Sequence, residues 1–361
     1  MNRTRRSLLG SGAGLLAATT FAGCLDDVGL AEREYDSGYA ALFALYDWAD
    51  QISGDVIDVE NPVGTGESGH GWNPRGDLTR DVADAGLFVY LDTPEFGWAQ
   101  DIATTLEADY NDVVVVDGFA GLDDQLLEWD HEGGGHDHGG EDESGGHDHG
   151  DEGGDHDHED GQEDHNHEDE QGHDHDRTGV DPHAWLDPVL AQDIVANIVD
   201  GLAEAHPDEE STFRDRADEY AGVLEEIDAQ FEQLVDEADR DTAVLVSHDS
   251  FTYLEERYGF ELHTPVGVSP NEGMSQNAIS ETITYIDDEG IDTILYDAFD
   301  APGGEYPDEV ATILDGSDAT NAMPLATASG TLASWAEKDW GYREQMEAIN
   351  IPAFRNALDA Q

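Results

Sequence analysis

Residues 208–237 read "DEESTFRDRADEYAGVLEEIDAQFEQLVDE", with Phe213, Ala217, Tyr220, Val223, Leu224, Ile227, Phe231 and Leu234 recurring at spacings of three and four. That period puts them on one face of an α-helix. Gly222 alone interrupts the run, and no proline does. At 1.5 Å per residue such a helix is about 45 Å long, the width of a whole domain. A stripe of that length must be covered by the chain on either side of it.

On both sides, strand and helix patterns alternate. Upstream, "GYAALFALYDWADQIS" has helical spacing, "DVIDVENPV" reads as a strand, and "GTGESGHGWNPRGD" is a glycine-rich loop. A short helix "LTRDVADAG", a strand "LFVYLD" and a helix opening on proline, "PEFGWAQDIATTLEADY", follow. "DVVVVDG" is a continuous apolar run, the pattern of a buried parallel strand. Downstream, "TAVLVSHDSFTYLEERYGF", "AISETITYIDDEG", "DTILYD" and "YPDEVATILDG" repeat the alternation, and a last helix is expected from about Lys338 to Ala360. The expected fold class is α/β: two α/β lobes joined by one long rigid α-helix.

The chain carries 85 Asp and Glu against 14 Lys and Arg, a net charge of −71. Residues 123–178 hold 23 of these acids and leave 62 elsewhere, so the acidity is global. Such a surface excludes nucleic acid as a partner, because phosphate needs a cationic patch. Self-repulsion at this density is severe in dilute buffer, whereas at molar salt the screening length falls to about 3 Å. The composition therefore reads as halophilic. Seven tryptophans and regular apolar segments argue against an unfolded acidic chain.

The N-terminus, "MNRTRRSLLGSGAGLLAATTFAGC", places Arg5-Arg6 before an apolar run too short to span a membrane. Twin arginine marks export by the Tat route. Cys24, the single cysteine, closes the run in "FAGC", which resembles a lipobox, so lipidation at Cys24 is expected. The expected organisation is a signal over residues 1–24, a tether over 25–36, an N-terminal lobe over 37–205, the linking helix over 208–237 and a C-terminal lobe over 240–361. An insert over 131–176 interrupts the first lobe. It consists mainly of Gly, acids and His, with five His-x-His pairs: His136 with His138, His147 with His149, His156 with His158, His165 with His167, and His173 with His175. With almost nothing to bury, it is expected to be disordered.

Three histidines outside the insert stand where strand patterns end: His70 in "TGESGHGWNP", His183 in "DPHAWLDP" and His248 in "VLVSHDSF". Open α/β sheets bind ligands at the carboxyl ends of their strands. Two histidines from one lobe and one from the other would enclose a cation in the cleft between lobes. A single histidine is more often a hydrogen-bonded structural residue than a ligand; His206 and His263 lack the strand-end context and read as structural.

The segments "PVGTGESGHGWNPRGDLTRDVADAGLFVYLD", "DPHAWLDP", "VSHDSFTYLEERYGFEL", "GVSPNEGMS" and "YREQMEAINIPAFRNAL" together resemble the zinc/manganese solute-binding proteins of ABC importers. The resemblance covers about residues 37–361 apart from the insert. It implies two α/β lobes on a long rigid helix, with the metal at the lobe interface and His70, His183 and His248 as its ligands. Many relatives add a carboxylate in the C-terminal lobe, in a turn resembling L-D-P-L or F-x-D-S. The corresponding stretch here, "NAMPLAT", puts Met323 at that place, and a thioether is a poor partner for zinc or manganese. The fourth position is open to water, to Asp297 in "LYDAFD", to Glu67 or to a side chain of the insert; Asp297 could instead support the site from behind a ligand.

Three imidazoles suit Zn²⁺. Manganese prefers more oxygens, and manganese-binding relatives carry a carboxylate where this chain has His248. The expected function is capture of Zn²⁺ as cargo and its delivery to the permease of an ABC importer with a cytoplasmic ATPase. The expected protein is a monomer held on the outer face of the cell membrane through Cys24. The ten paired histidines would collect metal near the site and raise its local concentration. The alternatives are a receptor for manganese or another divalent metal, a surface metal buffer or adhesin, and a metallohydrolase, for which no convincing general base is found. An enzyme is not expected.

Overall fold

A computed structural model of the chain describes residues 35–128, 179–265 and 274–360. The export signal, Cys24, residues 25–34 of the tether and the insert 131–176 lie outside the described residues, as do residues 266–273. All ten histidines expected to collect metal therefore fall outside them: His136 and His138, His147 and His149, His156 and His158, His165 and His167, and His173 and His175. Among the described residues no helix is long and apolar enough to cross a membrane.

The first lobe contains β1 (Ser37–Ala40), α1 (Phe43–Ser53), β2 (Asp58–Glu60), α2 (Leu78–Ala85), β3 (Leu87–Tyr90), α3 (Gly97–Asp109), β4 (Val114–Asp117) and α4 (Pro188–Ala205). After α5 (Glu210–Glu237) the second contains β5 (Thr242–Leu245), α6 (Thr252–Tyr258), β6 (Glu261–His263), α7 (Gln276–Glu289), β7 (Thr293–Asp297), α8 (Asp308–Gly316) and β8 (Asn321–Leu325). Three short helices close the chain: α9 (Ala333–Ala336), α10 (Tyr342–Gln345) and α11 (Ile351–Ala357), with a π-turn joining the last two. The sheets share one topology, β2-β1-β3-β4 and β6-β5-β7-β8, and every pairing is parallel. Crossovers of this kind send all the carboxyl strand ends of a sheet to one side, where loops can converge on a ligand.

Helix α5 buries Phe213, Leu224, Ile227, Phe231 and Leu234, while Ala217, Tyr220 and Val223 are half-buried. Each fully buried side chain of this size contributes roughly 1.5–3 kcal/mol. Phe231 stacks on Tyr258 at 5.1 Å and meets Phe354 edge-on at 6.1 Å. The helix also packs along α4 and α1, so it touches both lobes. One apolar cluster runs from Leu42 and Trp48 through Trp185 and Phe231 to Phe251, Tyr342 and Phe354.

Polar contacts tie the lobes together across that cluster. Trp185 Nε1 donates to the Thr327 carbonyl (2.8 Å) and Tyr342 Oη to the Trp185 carbonyl (2.8 Å). Gly66 N donates to Thr331 O (2.7 Å) and Ala44 N to Ala328 O (3.0 Å). Arg257 Nε reaches both oxygens of Asp187 at 2.5 and 2.6 Å. Asp187 also caps α4, accepting from Val189 N (2.8 Å) and Leu190 N (3.4 Å) ahead of Pro188 in the first turn.

Three local expectations are corrected. "GYAALFALYDWADQIS" is not one helix, because its start is β1, a central strand of the first sheet. Four residues are too few to show a two-residue period against the helical spacing that follows. β4 is parallel as expected but lies at a sheet edge, and of its residues only Val116 is buried. "NAMPL" is strand β8, with Pro324 tolerated because an edge strand needs no donor on its outer side. Met323 pairs with Leu295 inside this strand and packs on the main apolar cluster, away from any turn.

Candidate metal centre

Each candidate histidine follows a strand. His70 lies in the loop after β2, His248 three residues beyond β5, and His183 beyond β4 on the far side of the insert. His70 is set by Gly69, where a Cβ would meet Leu42 (2.7 Å) and Phe96 (3.1 Å), so only glycine lets the loop descend this far. Trp98 Nε1 holds that turn by donating to Gly69 O (3.2 Å), and the Phe96 ring lies 4.8 Å from the imidazole. Gly330 admits the same loop from the second lobe, since a Cβ there would strike the Glu67 carbonyl.

"DPHAW" forms a tight 3₁₀ turn, His183–Leu186, with the imidazole fully buried. Asp181 Oδ1 accepts from His183 N (2.9 Å) and lies 2.7 Å from His183 Nδ1. That contact directs Nε2 outward, and Nε2 is buried without a hydrogen-bond partner. Ser250 Oγ lies 2.7 Å from His248 Nε2.

The structure brings the three together. One nitrogen from each of His70, His183 and His248 can be chosen so that all lie within 4.8 Å of one another. Ring centroids are 5.3 Å apart for His70–His183, and 5.8 Å for both His70–His248 and His183–His248. Both nitrogens of His70 are buried without a hydrogen-bond partner, although Glu95 stands close to Nδ1. Burial lowers the pKa of His70 and drives that of His248 well below the ordinary value, and neighbouring imidazoles add to the effect on both. A divalent cation needs unprotonated imidazole nitrogens, and nitrogens from three rings come this close here. The cluster is built from single histidines of the folded lobes; the histidines of the insert lie outside the described residues.

A cavity of about 290 Å³ opens beside them, lined among others by His70, Glu95, His248, Asp297, Thr327 and Ser329. Asp297, at the end of β7, is pushed up to about 7 by burial, and its Oδ1 accepts from Phe299 N (2.9 Å). It lines the cavity, but its carboxylate is not part of the tight three-histidine cluster. Glu67 is exposed and turned to the Trp72 indole, whose Nε1 donates to Oε2 at 3.3 Å. From the segment after β8 the residues that reach the cavity are Thr327 and Ser329, hydrogen-bonded to each other at 3.0 Å. His206 ends α4, and His263 stacks on Tyr285 at 4.1 Å, so neither joins the cluster.

Sequence reasoning overlooked Glu95, whose Oε2 lies 3.7 Å from His70 Nδ1, and the support that Asp181 gives His183. Both had a signal. Glu95 follows β3 at the head of a helix, and Asp181 stands two residues before a candidate ligand, a spacing that lets a carboxylate meet its backbone and ring at once.

Comparisons with known proteins converge on one family. The model of the family described as zinc-uptake complex component A, periplasmic, matches residues 39–302. The zinc-binding lipoprotein AdcA of Streptococcus pneumoniae is 28% identical over 247 residues, 68% of this chain and 42% of AdcA, so the chain spans under half the length of that relative. The high-affinity zinc uptake system protein ZnuA of Bacillus subtilis is 25% identical over 317 residues, covering 88% of this chain and 86% of ZnuA. The crystal structure of the Zn(II)-bound ZnuA-like domain of Streptococcus pneumoniae AdcA superposes with a TM-score of 0.65 at 20% identity, over 90% of this chain and 99% of that domain. That likeness establishes the fold of two parallel-sheet lobes. With a family match over more than two thirds of its length, the chain belongs to the family of periplasmic A components of zinc-uptake complexes.

Proposed function

We propose that this protein captures Zn²⁺ outside the cytoplasm and delivers it to the permease of an ABC importer, with His70, His183 and His248 as its protein ligands. The observation that carries this reading is the convergence of three imidazole nitrogens within 4.8 Å, drawn from loops of both lobes. Zinc binds imidazole at about 2.0–2.1 Å, so small movements of the three rings complete the site. Asp181 orients His183, and burial keeps His70 and His248 in the neutral form. The fourth position faces the cavity, where water or Asp297 can complete a tetrahedron.

All-imidazole ligation favours zinc over manganese. The protein acts as a receptor rather than an enzyme. We read residues 1–24 as a Tat-type lipoprotein signal and 25–36 as a tether, with a lipid anchor at Cys24 on the outer face of the membrane. The lobes are 37–205 and 240–361, with 208–237 between them. The insert 131–176 acts as a collector of zinc through its five His-x-His pairs. The lipoprotein named among the relatives supports the anchor, and the surplus of acids supports a high-salt setting.

The test is metal titration of the purified protein, with competition among Zn, Mn, Ni and Cu. One tight zinc site should survive deletion of residues 131–176 and disappear in His183→Ala. Tight binding that vanishes with the insert and persists in His183→Ala would place the site in the insert and overturn the proposal.

A further inference from the structure

The insert leaves the first lobe at Glu128 and returns at Gly179, and its two ends meet in a short stem. Glu128 and Val180 form an antiparallel bridge, and Asp181 N donates to Leu127 O (2.9 Å). One side chain from the other lobe holds both strands of this stem. Tyr253, on α6, is buried to 3% exposure. Its hydroxyl accepts from Leu127 N (3.0 Å) and donates to the Asp181 carbonyl (2.7 Å). Asp181 in turn meets His183 through its carboxylate, accepting from the backbone N–H (2.9 Å) and lying 2.7 Å from Nδ1. The hydroxyl uses its one proton toward Asp181 and a lone pair toward Leu127.

We propose that Tyr253 is a positioning residue for the metal centre: by pinning the stem of the insert and the Asp181 backbone to the second lobe, it sets the orientation of His183, so that whatever displaces the stem is felt at the zinc ligand. The inference rests on His183 being a ligand. It follows from the economy of the contacts. Asp181 has only one carboxylate oxygen on His183, its other oxygen is buried without a partner, and its backbone is held on one side by Leu127 and on the other by Tyr253. Removing the hydroxyl leaves the Leu127 N–H and the Asp181 carbonyl facing an apolar ring edge. The stem is then free to shift relative to α6, and the Asp181–His183 contact shifts with it. A phenylalanine keeps the ring in the apolar cluster, so packing is preserved while the link is cut.

The experiment is a cycle in the full chain of Tyr253→Phe, Asp181→Ala and the double variant, with His183→Ala as the control for the site. Zn²⁺ affinity is measured by competition with a chelating dye, and the visible spectrum of the Co²⁺-loaded protein reports ligand geometry. Loss of an outer partner of a ligating histidine typically costs 10–100-fold in affinity; Tyr253→Phe is expected near the lower end, about tenfold, with a shifted Co²⁺ spectrum. In the Asp181→Ala background the same change should have little further effect, because the link it serves is already gone. Zinc affinity and Co²⁺ spectrum of Tyr253→Phe identical to the parent, or full additivity with Asp181→Ala, would overturn the proposal. If instead His183→Ala retains tight zinc, the reading of the site itself has failed, a result that the control separates from failure of the Tyr253 link.

Discussion

Asp181 and His183 are joined twice: one carboxylate oxygen accepts the His183 backbone N–H and lies 2.7 Å from its Nδ1, with both side chains almost wholly buried. The two-residue spacing in "DPH" makes this geometry possible. It holds the ring in one tautomer and one orientation, with Nε2 toward the other two histidines. Asp181→Ala should therefore weaken zinc binding by about 10–100-fold, whereas Asp181→Asn, which keeps an acceptor, should lose less. Calorimetric titration of both variants checks the order.

Binding should persist in mildly acid solution. Burial lowers the pKa of His70 and, further, of His248, so at these two residues protons compete with metal at a lower pH than at an ordinary histidine, whose pKa is near 6.5. Zinc affinity should change little from pH 7 to 6 and fall steeply at lower pH, whereas a flexible His-x-His peptide loses binding from about pH 6.5 downward. The same sign applies to folding. Because the folded pKa values are lowered, the apo protein keeps these contributions above about pH 6.5 and loses stability as the unfolded chain takes up protons below it. Titrations at three pH values, beside denaturation of the apo form, check both statements.

Asp47 behaves in the opposite sense. Burial raises it from 3.8 to about 6, although its carboxylate accepts from Tyr342 N (2.9 Å). A carboxyl with a raised folded pKa contributes stability that is full below about pH 4 and is lost as pH rises through 6. Relative to Asp47→Asn, the parent should lose about 2 kcal/mol between pH 4 and 7. Urea unfolding of both proteins at the two pH values measures it; a parent that gains on the variant as pH rises would contradict the assignment.

The Arg257–Asp187 pair links α6 to the start of α4, with Asp187 2% exposed and Arg257 30% exposed. Arg257→Ala would leave a buried carboxylate supported only by its capping contacts. We expect a loss of about 1.5–3 kcal/mol, the range for hydrogen bonds to charged groups. Because the pair crosses between the lobes, Arg257→Ala should also weaken zinc binding. Thermal denaturation with and without zinc reads both effects.

Much of the architecture was legible in the chain. Helix α5 showed in the spacing of Phe213, Leu224, Ile227, Phe231 and Leu234, because twenty-eight residues offer many turns over which a period can be read. His70, His183 and His248 stood out as single histidines at strand ends. β1 and β8 did not show, because four or five residues carry too little pattern and Pro324 disguised an edge. Glu67 and Asp297 stood as candidates for the fourth position and Met323 as the occupant of a turn until the backbone placed them: one exposed against Trp72, one in the cavity wall, one inside a sheet.

The sequence by itself determined the alternation of strands and helices, the long helix between two α/β series, the acidic surface and the residue types able to hold zinc, since all of these are local in the chain. Tertiary structure alone decided which of those residues meet. Loops from two sheets bring nitrogens from residues 70, 183 and 248 within 4.8 Å, and a tyrosine at 253 fastens a stem formed by residues 127 and 181. Contacts across such separations are set by how two lobes pack on a shared core, and no local pattern in the chain records that packing.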